Sequence, residues 1–167
     1  MFKECYAVKI ARLYKATDAA YNRNLNILTS DPAAYWMQVK AAASMAQYFR
    51  FHVSGDIPNS EYLNNMITLA KELKNTKFLV FTKQYQLINE YLSAGGVIPE
   101  NLKVIFSNWG VWKCENPYKL PTCEVIFKNT KPLDHWKICG GNCTECACAG
   151  VGCWELKNNE TIAIYKH

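Results

Sequence analysis

The sequence predicts one α/β domain, built on an open, mostly parallel sheet. Three short apolar segments, 49–53, 77–81 and 102–106, read as strands, and the first two are each followed by a helical pattern. Strands that alternate with helices favour a parallel sheet, and apolar runs favour strands buried on both faces. Right-handed crossovers then place the three strands side by side in chain order.

The N-terminal part of the chain predicts three helices ahead of this sheet. The first spans 5–14, where apolar residues recur at roughly helical spacing. Thr17 or Asp18 is expected to cap the second. The third spans 33–47, with Asp31 as the N-cap and Pro32 at the first helical position.

Two more helices and two more strands complete the prediction. Asn59 or Ser60 is expected to cap a helix that runs to about residue 73, and a second helix covers 84–92 before two glycines. The last third of the chain breaks the alternation. It offers strands at 124–127 and 161–165, with a cysteine-rich loop between them that has little regular structure of its own.

Composition limits the function classes. The 167 residues carry a net charge of +5 and are 50% hydrophobic, which suits a single domain over residues 1–167. No apolar run approaches the about 20 residues that a membrane span needs, and the charged start does not resemble a signal peptide. We therefore expect no membrane partner and a cytoplasmic location. The mild basic charge permits an acidic or nucleic-acid partner without requiring one.

Polar side chains follow each of the three parallel strands, where such sheets bind ligands. The positions are Ser54, Asp56, Thr82, Lys83, Ser107 and Asn108. We expect Asp56 and Lys83 to face the same rim, and His52, Asp56 and Lys83 are the catalytic candidates. The alternative is that these residues cap helices and form turns, and that His52 is a hydrogen-bonded core residue.

The strongest chemical signal is a cluster of five of the eight cysteines, in a predicted metal-binding loop at 135–156. In a reducing compartment, clustered cysteines bind metal or do redox chemistry more often than they form disulfides. Four thiolates suit tetrahedral zinc or an iron–sulfur cluster. Cys148 is the expected spare, because it crowds Cys146. Free or disulfide-paired thiols are the alternative.

The spacing Cys139-x3-Cys143-x2-Cys146 matches the cluster-binding triad of radical S-adenosylmethionine enzymes. The triad lies near the C-terminus, however, and Glu145 stands where that superfamily usually has an aromatic residue. The spacing therefore favours a 4Fe–4S cluster over zinc more than it favours radical chemistry. Cys114 and Cys123 are predicted to be structural or incidental.

Several segments in this order resemble the phage "gene product 88" family over nearly the whole chain. They are Cys5-Tyr6-Ala7, 51–56, 78–83, and Cys139-Gly140-Gly141-Asn142-Cys143 followed by Cys146 and Cys153-Trp154-Glu155-Leu156. The first and third are also similar to a phage family related to radical S-adenosylmethionine barrels, which implies a partial βα barrel.

The resemblance also implies a ligand set, namely Cys139, Cys143, Cys146 and Cys153, with Cys148 and Cys5 in reserve. The chain departs from the family pattern in an insertion at 147–152. It also lacks the cysteines that usually stand before Cys-Tyr-Ala, since only four residues precede Cys5.

Three functions remain open from the sequence. The first is a phage-type metalloprotein that acts as an accessory or interaction protein on a host factor, in the host cytoplasm. The second is a redox or radical S-adenosylmethionine-like enzyme with its active rim at the strand ends. The third is nucleic-acid binding through Arg12, Lys15 and Arg23, with tyrosines nearby for stacking. An ordinary solvated helix face carries the same residues.

Overall fold

A six-stranded, all-parallel sheet, open and curled like half a barrel, forms the centre of the molecule. The computed structural model describes residues 6–108, 114–127 and 129–166. The strand order is β1-β2-β3-β4-β6-β5. The strands are Tyr48–Arg50 (β1), Lys77–Thr82 (β2), Leu102–Asn108 (β3), Thr122–Ile126 (β4), Lys137–Ile138 (β5) and Thr161–Tyr165 (β6). The predicted α/β class is confirmed.

The first three strands are parallel neighbours in chain order, as the sequence predicted. The predicted β1 was too long. The strand ends at Arg50, and two residues later His52 adopts a left-handed backbone with φ 61°. A β-strand cannot continue through that conformation. The two-residue β5 had no counterpart in the prediction.

Three helices precede the sheet: α1 Tyr6–Leu13, α2 Lys15–Ser30 and α3 Pro32–Ser44. Asp31 caps α3 as predicted, because its side chain accepts a hydrogen bond from the Ala34 amide at 2.9 Å. The expected cap of α2 was wrong. Thr17 and Asp18 lie inside its first turn, and both donate their amides to the carbonyl of Tyr14. No helix among the described residues is long and apolar enough to cross a membrane.

Helices α4 (Ser60–Glu72) and α5 (Tyr85–Ser93) cover one face of the sheet. Asn59 caps α4 through a 2.8 Å bond from the Tyr62 amide. Alternate strand residues such as Phe78, Val80 and Phe106 pack with the apolar sides of these helices in the first core cluster. This burial is the main source of stability for the domain.

The segment 137–156, which we call the strap, covers the opposite face. It contains β5, α6 (Cys143–Ala149) and a 3₁₀ helix (Gly152–Glu155). Its apolar residues meet the other set of strand residues in the second core cluster, whose buried members are Leu79, Ile105, Cys123, Ala147, Trp154, Leu156 and Ile162. The expectation of little regular structure was wrong here. Asn142 caps α6 by accepting from two amides, and Gly150 ends it in the left-handed conformation.

The strap runs from one edge of the sheet to the other. At the β5 edge, the amide of Cys139 donates to Ala163 of β6 at 2.9 Å. At the β1 edge, the rings of Trp154 and Tyr48 pack with centroids 5.0 Å apart. Lys77 of β2 forms a 2.9 Å ion pair with Glu155. The strap therefore ties together strands that lie far apart in the sheet.

Candidate functional site

A polar network occupies the carboxyl ends of the first strands. The carboxylate of Asp56 accepts hydrogen bonds from the Thr82 hydroxyl at 2.6 Å and from the amides of Ile57 and Lys83, both at 2.8 Å. The ammonium of Lys83 donates to the Ser107 hydroxyl at 3.2 Å. Asp56 and Lys83 thus meet at the same rim, as predicted. Both oxygens of Asp56 are engaged in joining the loop after β1 to the end of β2.

We expect Asp56→Ala to destabilise the fold by about 2–4 kcal/mol, because three donors to one carboxylate lose their acceptor at once. Urea unfolding followed by circular dichroism measures the loss. Asp134 is the control, since its carboxylate is exposed in a 3.5 Å ion pair with Lys131, and Asp134→Ala should change stability by less than about 0.5 kcal/mol. Equal losses in the two variants would show that the Asp56 network contributes nothing special.

His52 faces the helices rather than the strap. Its Nε2 lies 3.1 Å from the hydroxyl of Tyr62 in α4, which lies 2.9 Å from the hydroxyl of Tyr35 in α3. Burial lowers the pKa of His52, and the nearby charge of Asp56 opposes this in part. Its Nδ1 is buried without a hydrogen-bond partner among the described residues. This geometry suits a neutral imidazole that bridges a loop and two helices.

A neutral, buried histidine makes stability depend on pH. The unfolded chain takes up a proton near pH 6.5, while the folded His52 does so only at lower pH, so the unfolded state binds more protons in between. Stability is therefore present above pH 6.5 and lost as the pH falls below it. We expect the melting temperature of His52→Asn, which tolerates positive φ, to fall less between pH 7 and pH 5.5 than that of the wild type. Identical slopes would contradict this.

The four predicted metal ligands all lie on the strap. Cys139 follows β5, Cys143 begins α6, Cys146 lies within α6, and Cys153 lies in the 3₁₀ helix. Cys139, Cys146 and Cys153 are half-buried against the second core cluster, while Cys143 is exposed. Burial raises the pKa of Cys153 to about 12, and the neighbouring Cys139 and Cys143 add to the rise. The four thiols are thus near enough for their charges to interact.

Four cysteines remain besides the predicted ligands, and three of them are Cys148, Cys114 and Cys5. Cys148 is exposed on α6, and a helix turns about 100° per residue, so it projects well away from Cys146. Cys114 packs against the first core cluster, on the helix-covered face. Cys5, the other reserve ligand, lies outside the described residues. Cys148 therefore points away from Cys146 rather than crowding it, and the choice of ligands stays a prediction.

Cys123 is a neighbour of the cluster that sequence reasoning missed. It lies on β4, is 1% exposed, and belongs to the second core cluster with the strap cysteines packed around it. Burial raises its pKa to about 12, with smaller contributions from Cys153 and Cys139. The alternation of side chains along β4 is the signal that could have placed it on the strap-covered face.

A cation stands beside the thiols. The guanidinium of Arg50 lies 4.8 Å above the ring centre of Phe81, and its Nη1 donates to the Sγ of Cys143 at 3.3 Å. A guanidinium held over an aromatic ring is favourably placed by cation–π attraction.

The donor set suits a soft or borderline metal, because thiolates are the ligands that zinc and iron–sulfur clusters prefer. Within 6–108, 114–127 and 129–166, no three His, Cys, Asp or Glu side chains converge closely enough to hold a metal ion. The strap thus gathers the sulfur atoms on one face without bringing them to ligand distance.

The candidate nucleic-acid residues lie apart from the thiols. Arg12 lies in the last turn of α1, Lys15 begins α2 and Arg23 lies within α2, and all three are exposed. Tyr14, between the two helices, is 59% exposed. An exposed basic surface is compatible with an acidic partner and equally with contact to solvent alone. Nucleic-acid binding through these residues therefore stays a prediction.

No curated protein matches the chain, and no solved structure does. A family model described as Gene product 88 matches residues 2–155. The match includes strands β1 to β5, the polar rim and all four predicted ligand cysteines. The chain belongs to the Gene product 88 family.

Proposed function

We propose that this protein is a small metalloprotein in which Cys139, Cys143, Cys146 and Cys153 bind one metal centre. The observation that supports the proposal is electrostatic: Cys139, Cys143 and Cys146 all lie near enough to Cys153 for their charges to act on it, while Cys148 does not contribute. Metal binding requires the four side chains to close together. The second core cluster supports this, because it shields the half-buried ligand side chains from water. The proposed site would therefore have an apolar environment.

A 4Fe–4S cluster stands ahead of zinc in this proposal. Three ligands are separated by only three and two residues, as cluster ligands often are. Zinc more commonly takes two cysteine hooks from separate parts of a chain. A 4Fe–4S cluster would supply one-electron chemistry or a cross-link between the segments of the strap. Zinc would supply the cross-link alone.

We further propose an accessory or interaction role in the host cytoplasm, with a host protein or nucleic acid as partner. The rim side chains favour this role over catalysis, because both Asp56 oxygens are engaged and His52 bridges helices. Four of the five charged residues of 6–30 are basic, with Asp18 the exception. A basic, exposed helix pair suits an acidic partner surface.

A redox enzyme is the second candidate. Lys83 favours this candidate. Its ammonium donates a hydrogen bond to the Ser107 hydroxyl at 3.2 Å. Its charge also opposes the rise in the pKa of Cys123, which lies on the strap-covered face. The polar rim and the thiols thus adjoin each other. Binding of S-adenosylmethionine to the anaerobic protein, measured by calorimetry, would favour this candidate if Lys83→Ala weakens it.

The deciding experiment is anaerobic purification followed by absorbance and elemental analysis. About four irons per chain with a broad band near roughly 400 nm would establish the cluster. A colourless protein with about one zinc would establish the structural alternative. Protein that holds neither, with disulfides among these cysteines, would refute the metalloprotein proposal.

A further inference from the structure

Two cationic side chains lie at the carboxyl ends of β1 and β2, on the face of the sheet that the strap covers. We propose that Arg50 and Lys83 bind a phosphate monoester, with the hydroxyl of Ser107 as a third contact. This inference goes beyond the metal site proposed above and requires no metal. Ligands of parallel sheets commonly bind outside the carboxyl ends of the strands, which is where these residues lie.

Lys83 and Ser107 share the strap-covered face, because side chains alternate along a strand. Phe81 of β2 and Ile105 of β3 pack in the second core cluster, under the strap. Lys83 follows Phe81 by two residues, and Ser107 follows Ile105 by two. The ammonium of Lys83 donates to the Ser107 hydroxyl at 3.2 Å, so the two side chains meet across neighbouring strands.

Arg50 reaches the same edge from β1. Its guanidinium lies 4.8 Å from the centre of the Phe81 ring, and its Nη1 donates to the Sγ of Cys143 at 3.3 Å. A guanidinium has five N–H groups, so this contact leaves donors for a ligand. Positions two residues apart on one face of a strand are about 6.6 Å apart. The guanidinium over Phe81 and the side chain of Lys83 are therefore near enough to contact one tetrahedral anion.

The charges around this pair favour an anion. Arg50 and Lys83 are both exposed, and Ser107 is 9% exposed. Within 6–108, 114–127 and 129–166, no carboxylate forms an ion pair with Arg50. Asp56 lies at the amide of Lys83, but both of its oxygens already accept hydrogen bonds.

A phosphate monoester fits this arrangement better than an anion of single charge. It carries a charge of about −1.5 to −2 near pH 7, which two cationic side chains balance. The planar guanidinium can donate two parallel hydrogen bonds to phosphate oxygens, while an ammonium binds them as a compact charge. Arg50 and Lys83 supply one group of each kind.

Isothermal titration calorimetry of the full chain with phenyl phosphate tests the proposal. We expect one site per chain with a Kd below about 1 mM. Arg50→Gln and Lys83→Gln should each weaken binding about tenfold, since each removes a charge-assisted hydrogen bond. Phenyl sulfate has a similar shape and a single charge, so it should bind more weakly than phenyl phosphate.

Arg12 and Lys15 provide matched controls, because they are exposed cations of the same two types on α1 and α2. Arg12→Gln and Lys15→Gln lower the net charge equally but remove no contact to the ligand. Since salt screens charges that do not touch the ligand, affinity should change by less than about twofold. Equal losses in all four variants would overturn the inference, because binding would then follow net charge alone.

Three other results would also overturn the inference. The first is a wild-type protein with no site tighter than about 1 mM, and the second is equal affinity for phenyl sulfate. The third is displacement of phenyl phosphate by a single-stranded oligonucleotide without terminal phosphates, which would assign the two cations to a nucleic-acid backbone.

Circular dichroism shows whether each variant folds. If Arg50→Gln does not fold, Arg50→Lys keeps the charge and should still weaken binding, because it loses the planar fork of donors. Unchanged affinity in Arg50→Lys and in Lys83→Gln would contradict the proposal. The iron and zinc content of the purified protein decides the metalloprotein proposal separately.

Discussion

Replacing Cys153 by serine is expected to abolish metal binding at the proposed site and to lower the melting temperature. Cys153 lies in the 3₁₀ helix, half-buried, and its charge interacts with those of Cys139, Cys143 and Cys146. Ligand binding to the folded state alone adds to stability, by about 2.7 kcal/mol when the free metal is at a hundred times its Kd. For a domain of this size that corresponds to about 5–10 °C. Elemental analysis and a thermal melt measure both effects.

Cys148→Ser is the control for this experiment. Cys148 is exposed on the same strap, so its replacement should keep the metal and change the melting temperature by less than about 2 °C. Loss of metal from the Cys148 variant, with retention in the Cys153 variant, would contradict the ligand assignment. Equal melting temperatures for all three proteins would show that no metal stabilises the strap.

Trp154→Ala should be the most destabilising single change in the strap, at about 3–5 kcal/mol. The indole is 7% exposed and packs against Tyr48, and its Nε1 donates to the carbonyl of Cys143 at 3.4 Å. The substitution leaves a cavity between the 3₁₀ helix and β1 and releases the start of α6. Because that turn carries a predicted ligand, we also expect weaker metal binding.

Urea unfolding followed by circular dichroism measures the Trp154 effect. Val151 is a suitable comparison, because it lies on the same strap and is 49% exposed. Val151→Ala should change the free energy of unfolding by less than about 0.5 kcal/mol. A Trp154 variant as stable as the Val151 variant would show that the strap packs only loosely on the sheet.

The strands of the sheet were predictable where most of their residues are apolar or β-branched. β2, β3 and β6 are buried on both faces, and their composition alone marks them as strands. β5 was missed because two exposed residues carry no periodicity. β1 was overextended because composition does not reveal the left-handed turn at His52.

The candidate site was predictable only in part, for a related reason. Close spacing in the chain made the strap cysteines visible as a group. Cys123 was not visible, because its proximity depends on the pairing of β4 with β6, which places Cys123 opposite Ile162. Helix α6 was also missed, since a cysteine-rich heptapeptide flanked by glycines resembles a loop until the Asn142 cap is known.

The position of β6 constrains the order in which the strands of the sheet can pair. β6 follows the other five strands of the described residues in sequence, yet it lies between β4 and β5 and pairs with both. On the ribosome, where synthesis proceeds from the N-terminus, β5 has no neighbour in the sheet until residues 161–165 emerge. The edge strand of the strap therefore pairs with the sheet only after residues 161–165 have been synthesised, later than the strap cysteines themselves.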